Sequence, residues 1–107
     1  MLLATGGAGY IGSHTVRALR TAGHDVVVYD DLSQGHRDAV LDAPLVEGDI
    51  LDTPRLLATL REHRIGGVLH FAARCYVDES LARPELYWRI NRDGTRSLLA
   101  AMAAAGV

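Results

Sequence analysis

Thr5-Gly6-Gly7-Ala8-Gly9-Tyr10-Ile11-Gly12 is the stretch on which the fold of this 107-residue chain turns. Glycines at 7, 9 and 12 give the spacing G-x-G-x-x-G, and glycines at 6, 9 and 12 share the same loop. Before it, Met1 to Thr5 is a short apolar run that reads as a buried strand. After it, Tyr10 to Ala22 reads as a helix, with Ile11, Thr15, Ala18, Leu19 and Ala22 on one face and Gly23 as the stop. A glycine turn between strand and helix tolerates unusual dihedrals and lets another molecule approach the backbone closely. It also aims the N–H groups and positive dipole end of the helix at an anion. Alone, the spacing also fits a tight structural turn. At the start of a β-α-β unit it favours a pyrophosphate site.

The alternation continues along the chain. Val26 to Tyr29 is β-branched and aromatic, a second strand ending at Asp30. Asp31 to Asp42 is polar and contains glycine, hence mostly loop. Leu45 to Glu47 is a short third strand. Thr53 and Pro54 read as a hydroxyl cap followed by proline at the first helical position, and Leu56, Leu57 and Leu60 give that helix an apolar face. Gly67 to Ala72 is a fourth strand. A long helix then runs from about Pro84 to Ala105, with Gly94 as a weak point and Tyr87 and Trp88 packing beside Leu86 and Ile90. Strands alternating with helices predict an α/β, Rossmann-type parallel sheet in the order 3-2-1-4, with helices on both faces. The ligand crevice lies beyond the carboxyl ends of the strands, and strand 4 is an edge.

Three further groups fit a dinucleotide. Asp30, about twenty residues past the glycines, can accept hydrogen bonds from a ribose 2′-hydroxyl and would repel a 2′-phosphate, so it favours NAD over NADP. His36 and Arg37 would pull the other way. Asp31 suits a cap or turn nearly as well as a cofactor contact. Gly48-Asp49-Ile50 places a carboxylate for the adenine amino group and an apolar side chain for its ring, although Asp49 alone reads as a turn residue. His70-Phe71-Ala72-Ala73 closes the fourth strand with small residues that let phosphates and ribose lie against the backbone; Phe71 suits the core equally well.

Composition excludes several classes. Net charge is −2 and charged residues are 22%, so nucleic acid and acidic membranes are not expected partners. All 11 basic residues are arginine. Histidines 14, 24, 36, 63 and 70 and the single Cys75 lack metal-ligand spacing, and Cys75 has no activating neighbour in sequence. No secretory leader or membrane-length apolar run is read, so a soluble, cytoplasmic protein is expected.

Taken together, TGGAGYIGSH, YDDLSQG, EGDI, LHFAA, VDES and N-x-x-G-T resemble the extended short-chain dehydrogenase/reductases, in order and over the whole chain. Tyr10, the loop after Asp30, and Val77-x-Glu79-Ser80 ahead of Pro84 favour the sugar-nucleotide epimerases over the related 4,6-dehydratases. The resemblance implies NAD as cofactor. It lays Tyr10 and Ile11, with Gly6, Gly9 and Gly12, along the pyrophosphate. Asp30, Asp31, Leu32, Ser33 and Gly35 line the adenosine ribose, and Asp49 and Ile50 hold adenine. The stretch from Phe71, Ala72 and Ala73 to Cys75 follows the phosphates and nicotinamide ribose, and Asn91 lies near the cofactor. Cys75 stands where some members carry lysine, and Arg92 where the family usually has an apolar residue.

The implied reaction interconverts UDP-galactose and UDP-glucose through a 4-keto intermediate, with hydride passing from the sugar C4 to NAD and back. It uses a Ser and a Tyr-x-x-x-Lys pair that follow a fifth strand. Four positions after Tyr10, Tyr29, Tyr76 and Tyr87 stand His14, Ser33, Ser80 and Asn91, and there is no lysine. Residues 1–107 are thus expected to be the N-terminal part of a Rossmann domain, without catalytic residues and inactive alone, from a homodimeric parent that binds a nucleotide sugar. Two alternatives stand beside it: part of another sugar-nucleotide epimerase or dehydratase, and a non-catalytic dinucleotide-binding module.

Overall fold

Four short apolar runs become four parallel strands. The computed structural model describes residues 1–107, in which β1 (Leu2–Thr5), β2 (Val26–Asp30), β3 (Leu45–Glu47) and β4 (Gly67–His70) lie in the order β3-β2-β1-β4. Leu2 pairs with Val26 on one side and Gly67 on the other, and Val28 pairs with Leu45. The order is the expected Rossmann-type one, although β4 ends at His70, short of Ala72.

A parallel sheet needs both faces covered, and alternate residues of the strands supply two cores. Leu3, Val27 and Tyr29 face one side, where they meet Ile50, Leu56, Leu60 and Leu98. Ala4, Val26 and Val28 face the other, against Ala8, Val16, Val40 and Ala43. The first face is covered by α2 (Thr53–Glu62) and α5 (Gly94–Ala105), the second by α1 (Tyr10–Thr21) and a 3-10 turn at Arg37–Val40. All five residues of β2 are buried, whereas β4 at the edge is only partly covered.

Local details depart from the sequence reading. In α1 the buried residues are Gly12 and Val16, with Leu19 packed beside them; Ile11, Ala18 and Ala22 face outward. A Cβ on Gly12 would lie 2.2 Å from the Gly6 carbonyl, so only glycine lets the helix sit this close, and that contact sets its rotation. The cap of α2 is Asp52, not Thr53: the Arg55 N–H donates to Asp52 Oδ1 at 3.0 Å, while Thr53 shares a 2.7 Å hydrogen bond with Ser97 of α5. The expected long helix is interrupted. A separate short helix, α3 (Val77–Ala82), precedes α4 (Pro84–Tyr87), and a π-turn at Trp88–Asp93 leads into α5. The π-turn's wider spacing re-phases the helix. Trp88, at the first position of the turn, stands 61% exposed instead of packing, with Arg92 over its ring at 5.3 Å. No helix is long and apolar enough to cross a membrane.

Candidate functional site

A cleft opens beyond the carboxyl ends of the strands, with the glycine loop at its centre. Gly6 adopts φ +71° and donates its N–H to the Tyr29 carbonyl at 2.8 Å. A Cβ there would lie 2.5 Å from the backbone nitrogen of Ala72, so this glycine is needed for the loop to meet the exit of β4. Gly9 is different. Its φ is −79°, which any residue adopts, and a Cβ would meet nothing nearer than the Gly6 carbonyl at 3.4 Å. Neither conformation nor packing within the chain calls for glycine at this position, yet it lines the cleft. Beside it α1 begins with no side-chain cap and no acidic residue in its first turn, and the N–H groups of Tyr10, Ile11 and Gly12 find no acceptor. An unobstructed backbone next to unpaired N–H groups suits a close-lying phosphate.

The neighbouring loop is fastened to this one through a carboxylate. Asp30 is 8% exposed, and the N–H groups of Ala8 and Leu32 donate to Oδ2 at 3.0 Å and Oδ1 at 2.9 Å. The His36 N–H also donates to the Ala8 carbonyl. Asp30 is therefore a brace between β2 and the glycine loop, and its carboxylate keeps lone pairs that no group in the chain uses. Asp31 turns the chain: the Ser33 N–H and hydroxyl both donate to its Oδ1. Leu32 packs beneath, in the α1-side core. Arg37, read as a phosphate attractor, instead pairs with Glu47 at 2.6 Å.

Past β3, Tyr29 is buried and its hydroxyl donates to the Asp49 carbonyl at 2.9 Å. Burial, helped by the Asp52 carboxylate, pushes the phenol up to about 12, so it stays a neutral donor. The Asp49 carboxylate accepts the Leu51 N–H at 2.8 Å and is exposed. Ile50 is buried in the core and also lines the cleft.

The fourth wall is the exit of β4. The Phe71 N–H donates to the Thr5 carbonyl, and Phe71, Ala72, Ala73 and Arg74 line the cleft. Behind them runs a chain of polar contacts. The Thr95 hydroxyl donates to the Asn91 carbonyl at 2.7 Å, so at 3.0 Å it must accept from His70 Nε2. Nδ1 of the neutral ring then accepts from the Thr5 hydroxyl at 2.7 Å. Although His70 remains partly open at the sheet edge, burial of its ring holds its pKa below the usual histidine value. Asn91 spends its amide on the backbone of Arg74, accepting at 2.8 Å and donating at 3.0 Å.

Of the residues read from the sequence, the cleft gathers Gly6, Gly9, Asp30, Asp31, Ser33 and Gly35 on one side, and Ile50, Phe71, Ala72 and Ala73 on the other. Tyr10 and Ile11 lie exposed on the first turn of α1, Gly12 is buried beneath the loop, and Asp49 and Asn91 stand just outside the lining. The cleft adds Tyr29, Gln34, Gly48, Arg74 and Ile90. Gln34 and Arg74 sit within runs already read as following the ribose and the phosphates, and Gly48 within the Gly48-Asp49-Ile50 group, whereas Ile90 lies in the π-turn, which left no sequence signal.

A model of the NAD dependent epimerase/dehydratase family matches residues 2–107. The UDP-glucose 4-epimerase of Azospirillum brasilense is 48% identical over 107 residues, which are 99% of this chain and 31% of that protein. The crystal structure of UDP-glucose 4-epimerase from Brucella ovis in complex with NAD superposes with a TM-score of 0.95 at 48% identity, over 98% of this chain and 32% of that one. A dTDP-glucose 4,6-dehydratase from Streptomyces venezuelae, solved with NAD bound, gives 0.91 at 38% identity, over 99% of this chain and 36% of that one. The chain spans about a third of the length of these relatives. It is homologous to the NAD-binding, N-terminal part of UDP-glucose 4-epimerases, and it belongs to the NAD dependent epimerase/dehydratase family.

Proposed function

We propose that residues 1–107 form the N-terminal part of the NAD-binding domain of a UDP-glucose 4-epimerase-like enzyme. The observation that carries this is Gly9, a glycine that nothing in the chain requires, beside the uncapped start of α1. In this reading the pyrophosphate lies over Gly6, Gly9 and the N–H groups of Tyr10, Ile11 and Gly12. Asp30 accepts from the adenosine ribose, with Asp31, Leu32, Ser33 and Gly35 around it. Asp49 and Ile50 hold adenine, and Phe71, Ala72 and Ala73 follow the second ribose. Asn91 acts from behind, through the backbone of Arg74. NAD, when bound, supplies a group that takes up a hydride and returns it. The sugar nucleotide of the whole enzyme is UDP-galactose or UDP-glucose, and its assembly a homodimer.

With no lysine, the chain holds no Tyr-x-x-x-Lys pair, so 1–107 alone turns over no sugar nucleotide. Appreciable conversion of UDP-galactose by the purified chain would overturn this. A 4,6-dehydratase is the second reading, favoured by the likeness to the Streptomyces enzyme; Val77, Glu79 and Ser80 ahead of Pro84 weigh for the epimerase.

The test of cofactor binding is calorimetric titration of the chain with NAD, wild type against Gly9→Ala. The added methyl meets no backbone closer than 3.4 Å, so the variant should keep its melting temperature. Its affinity should fall roughly tenfold or more, about 1.4 kcal/mol, because the methyl occupies space reserved for the ligand. Equal affinity would refute the pyrophosphate placement.

A further inference from the structure

Arg74 is the one cation among the residues that line the cleft, whose carboxylates are Asp30 and Asp31. It follows Ala72 by two residues, and the Ala72 nitrogen abuts Gly6, so its backbone runs beside the glycine loop. That backbone is held at both polar groups by a single side chain, Asn91, at 2.8 and 3.0 Å. The Arg74 side chain is only 20% exposed, yet one contact engages its guanidinium: Nη1 donates to Glu79 Oε1 at 3.2 Å. No buried side-chain polar atom is left without a partner, so the other guanidinium donors are open to solvent. A planar fork tied by one long contact, on a backbone fixed at two points, is a preorganised set of donors with most of its capacity unused.

We propose that Arg74 is the cationic contact for the cofactor's pyrophosphate, and that Glu79 is the internal counter-ion with which the ligand competes. The helix end offers pyrophosphate only partial charge. The guanidinium adds a full charge in a fork that matches two phosphate oxygens. Glu79 keeps that charge partnered until the anion arrives and returns to solvent when it binds. This inference rests on the NAD reading and names the charged group of the same site.

The experiment is calorimetric titration of wild type, R74Q and E79Q with NAD and with adenosine, at low and physiological salt, with thermal melts alongside. R74Q should bind NAD roughly ten- to hundredfold more weakly, the loss typical of one hydrogen-bonded charge. Its NAD affinity should also depend less on salt, while adenosine, which has no phosphate, binds unchanged. E79Q should bind NAD roughly two- to tenfold more tightly, because the competing carboxylate is gone. If the pair merely braces α3, both variants lose affinity and melting temperature together, which overturns the proposal. NAD binding by R74Q equal to wild type overturns it while leaving the NAD reading intact. No NAD binding by wild type overturns both. Should R74Q fail to fold, the sign at E79Q decides: tighter binding supports the proposal, and unchanged or weaker binding overturns it.

Discussion

Replacing Gly94 with alanine sets two opposite effects against each other. Gly94 is buried at the start of α5, and alanine in a helix is worth about 1 kcal/mol over glycine. Against that gain, a Cβ would lie 2.6 Å from Ile50 Cγ2 and 3.4 Å from its Cγ1. Ile50 has little room to yield. It is 6% exposed, packed in the core with Tyr29, Leu56 and Leu98, and branched at Cβ, which stiffens χ1. Overpacking of this kind costs about 1–3 kcal/mol, and with Ile50 unable to yield the clash outweighs the propensity gain of about 1 kcal/mol, so Gly94→Ala should destabilise by up to about 2 kcal/mol. The decisive feature is a reversal of sign. Ile50→Ala removes both Cγ atoms, and in that background Gly94→Ala should stabilise by up to about 1 kcal/mol. The assay is urea unfolding followed by far-UV circular dichroism for all four proteins of the cycle. Sucrose in every sample keeps the Ile50→Ala baseline folded. A coupling near zero, or an alanine at 94 that stabilises the wild-type chain, would refute the reasoning. Because Ile50 also lines the cleft, the destabilised variant should lose NAD affinity as well.

Three other outcomes follow from contacts around the cleft. Asp30→Ala should cost about 1–3 kcal/mol, since it strands the buried Ala8 N–H, and should also weaken NAD more than NADP; unfolding curves and paired titrations check this, and unchanged discrimination would refute the ribose role. Gly6→Ala forces a φ of +71° and a contact of 2.5 Å with backbone, so circular dichroism at 25 °C should show a largely unfolded chain, whereas a native spectrum would show that the loop can relax away from β4. The neutral His70 ring is favoured by the folded state, so its contribution is complete above the ordinary histidine pKa of 6.5 and is lost as pH falls below it. Melting temperature should therefore drop more steeply between pH 7.5 and 5.5 for wild type than for His70→Asn, whose side chain does not titrate; parallel curves would show that the Thr5–His70–Thr95 chain tolerates the proton.

The strands and their order were legible because each is a short β-branched or apolar run bounded by turn residues, and β2, buried on both faces, has no polar interruption before Asp30. The expected bounds of β3, Leu45 to Glu47, are those observed. The rotation of α1 was not legible. Hydropathy placed Ile11 inward, but the backbone contact between Gly12 and Gly6 turns it outward. Nor was the π-turn. It accompanies two contacts between segments distant in sequence, Asn91 on Arg74 and Gly94 on Ile50, which no local pattern encodes. Gly94, read as a defect of the helix, is the residue that lets α5 approach Ile50.

The glycine motif itself shows how far a sequence pattern reaches. Gly6, Gly9 and Gly12 look alike in the sequence, yet they answer to different demands. Gly6 is required by a positive φ and by the exit of β4, and Gly12 by the packing of α1 on the loop. Both would be needed in a chain with this fold whether or not it bound anything. Gly9 meets no such requirement. The same division runs through the acidic residues: Asp30 braces two loops, Asp31 and Asp49 turn the chain, and each would have local work without a ligand. Loss of NAD affinity after substitution of Asp30 or Gly6 therefore mixes folding with recognition. Substitution at Gly9 separates them, because the space beside it serves nothing within the chain; at Arg74, whose Nη1 also binds Glu79, the thermal melt measured alongside makes the separation.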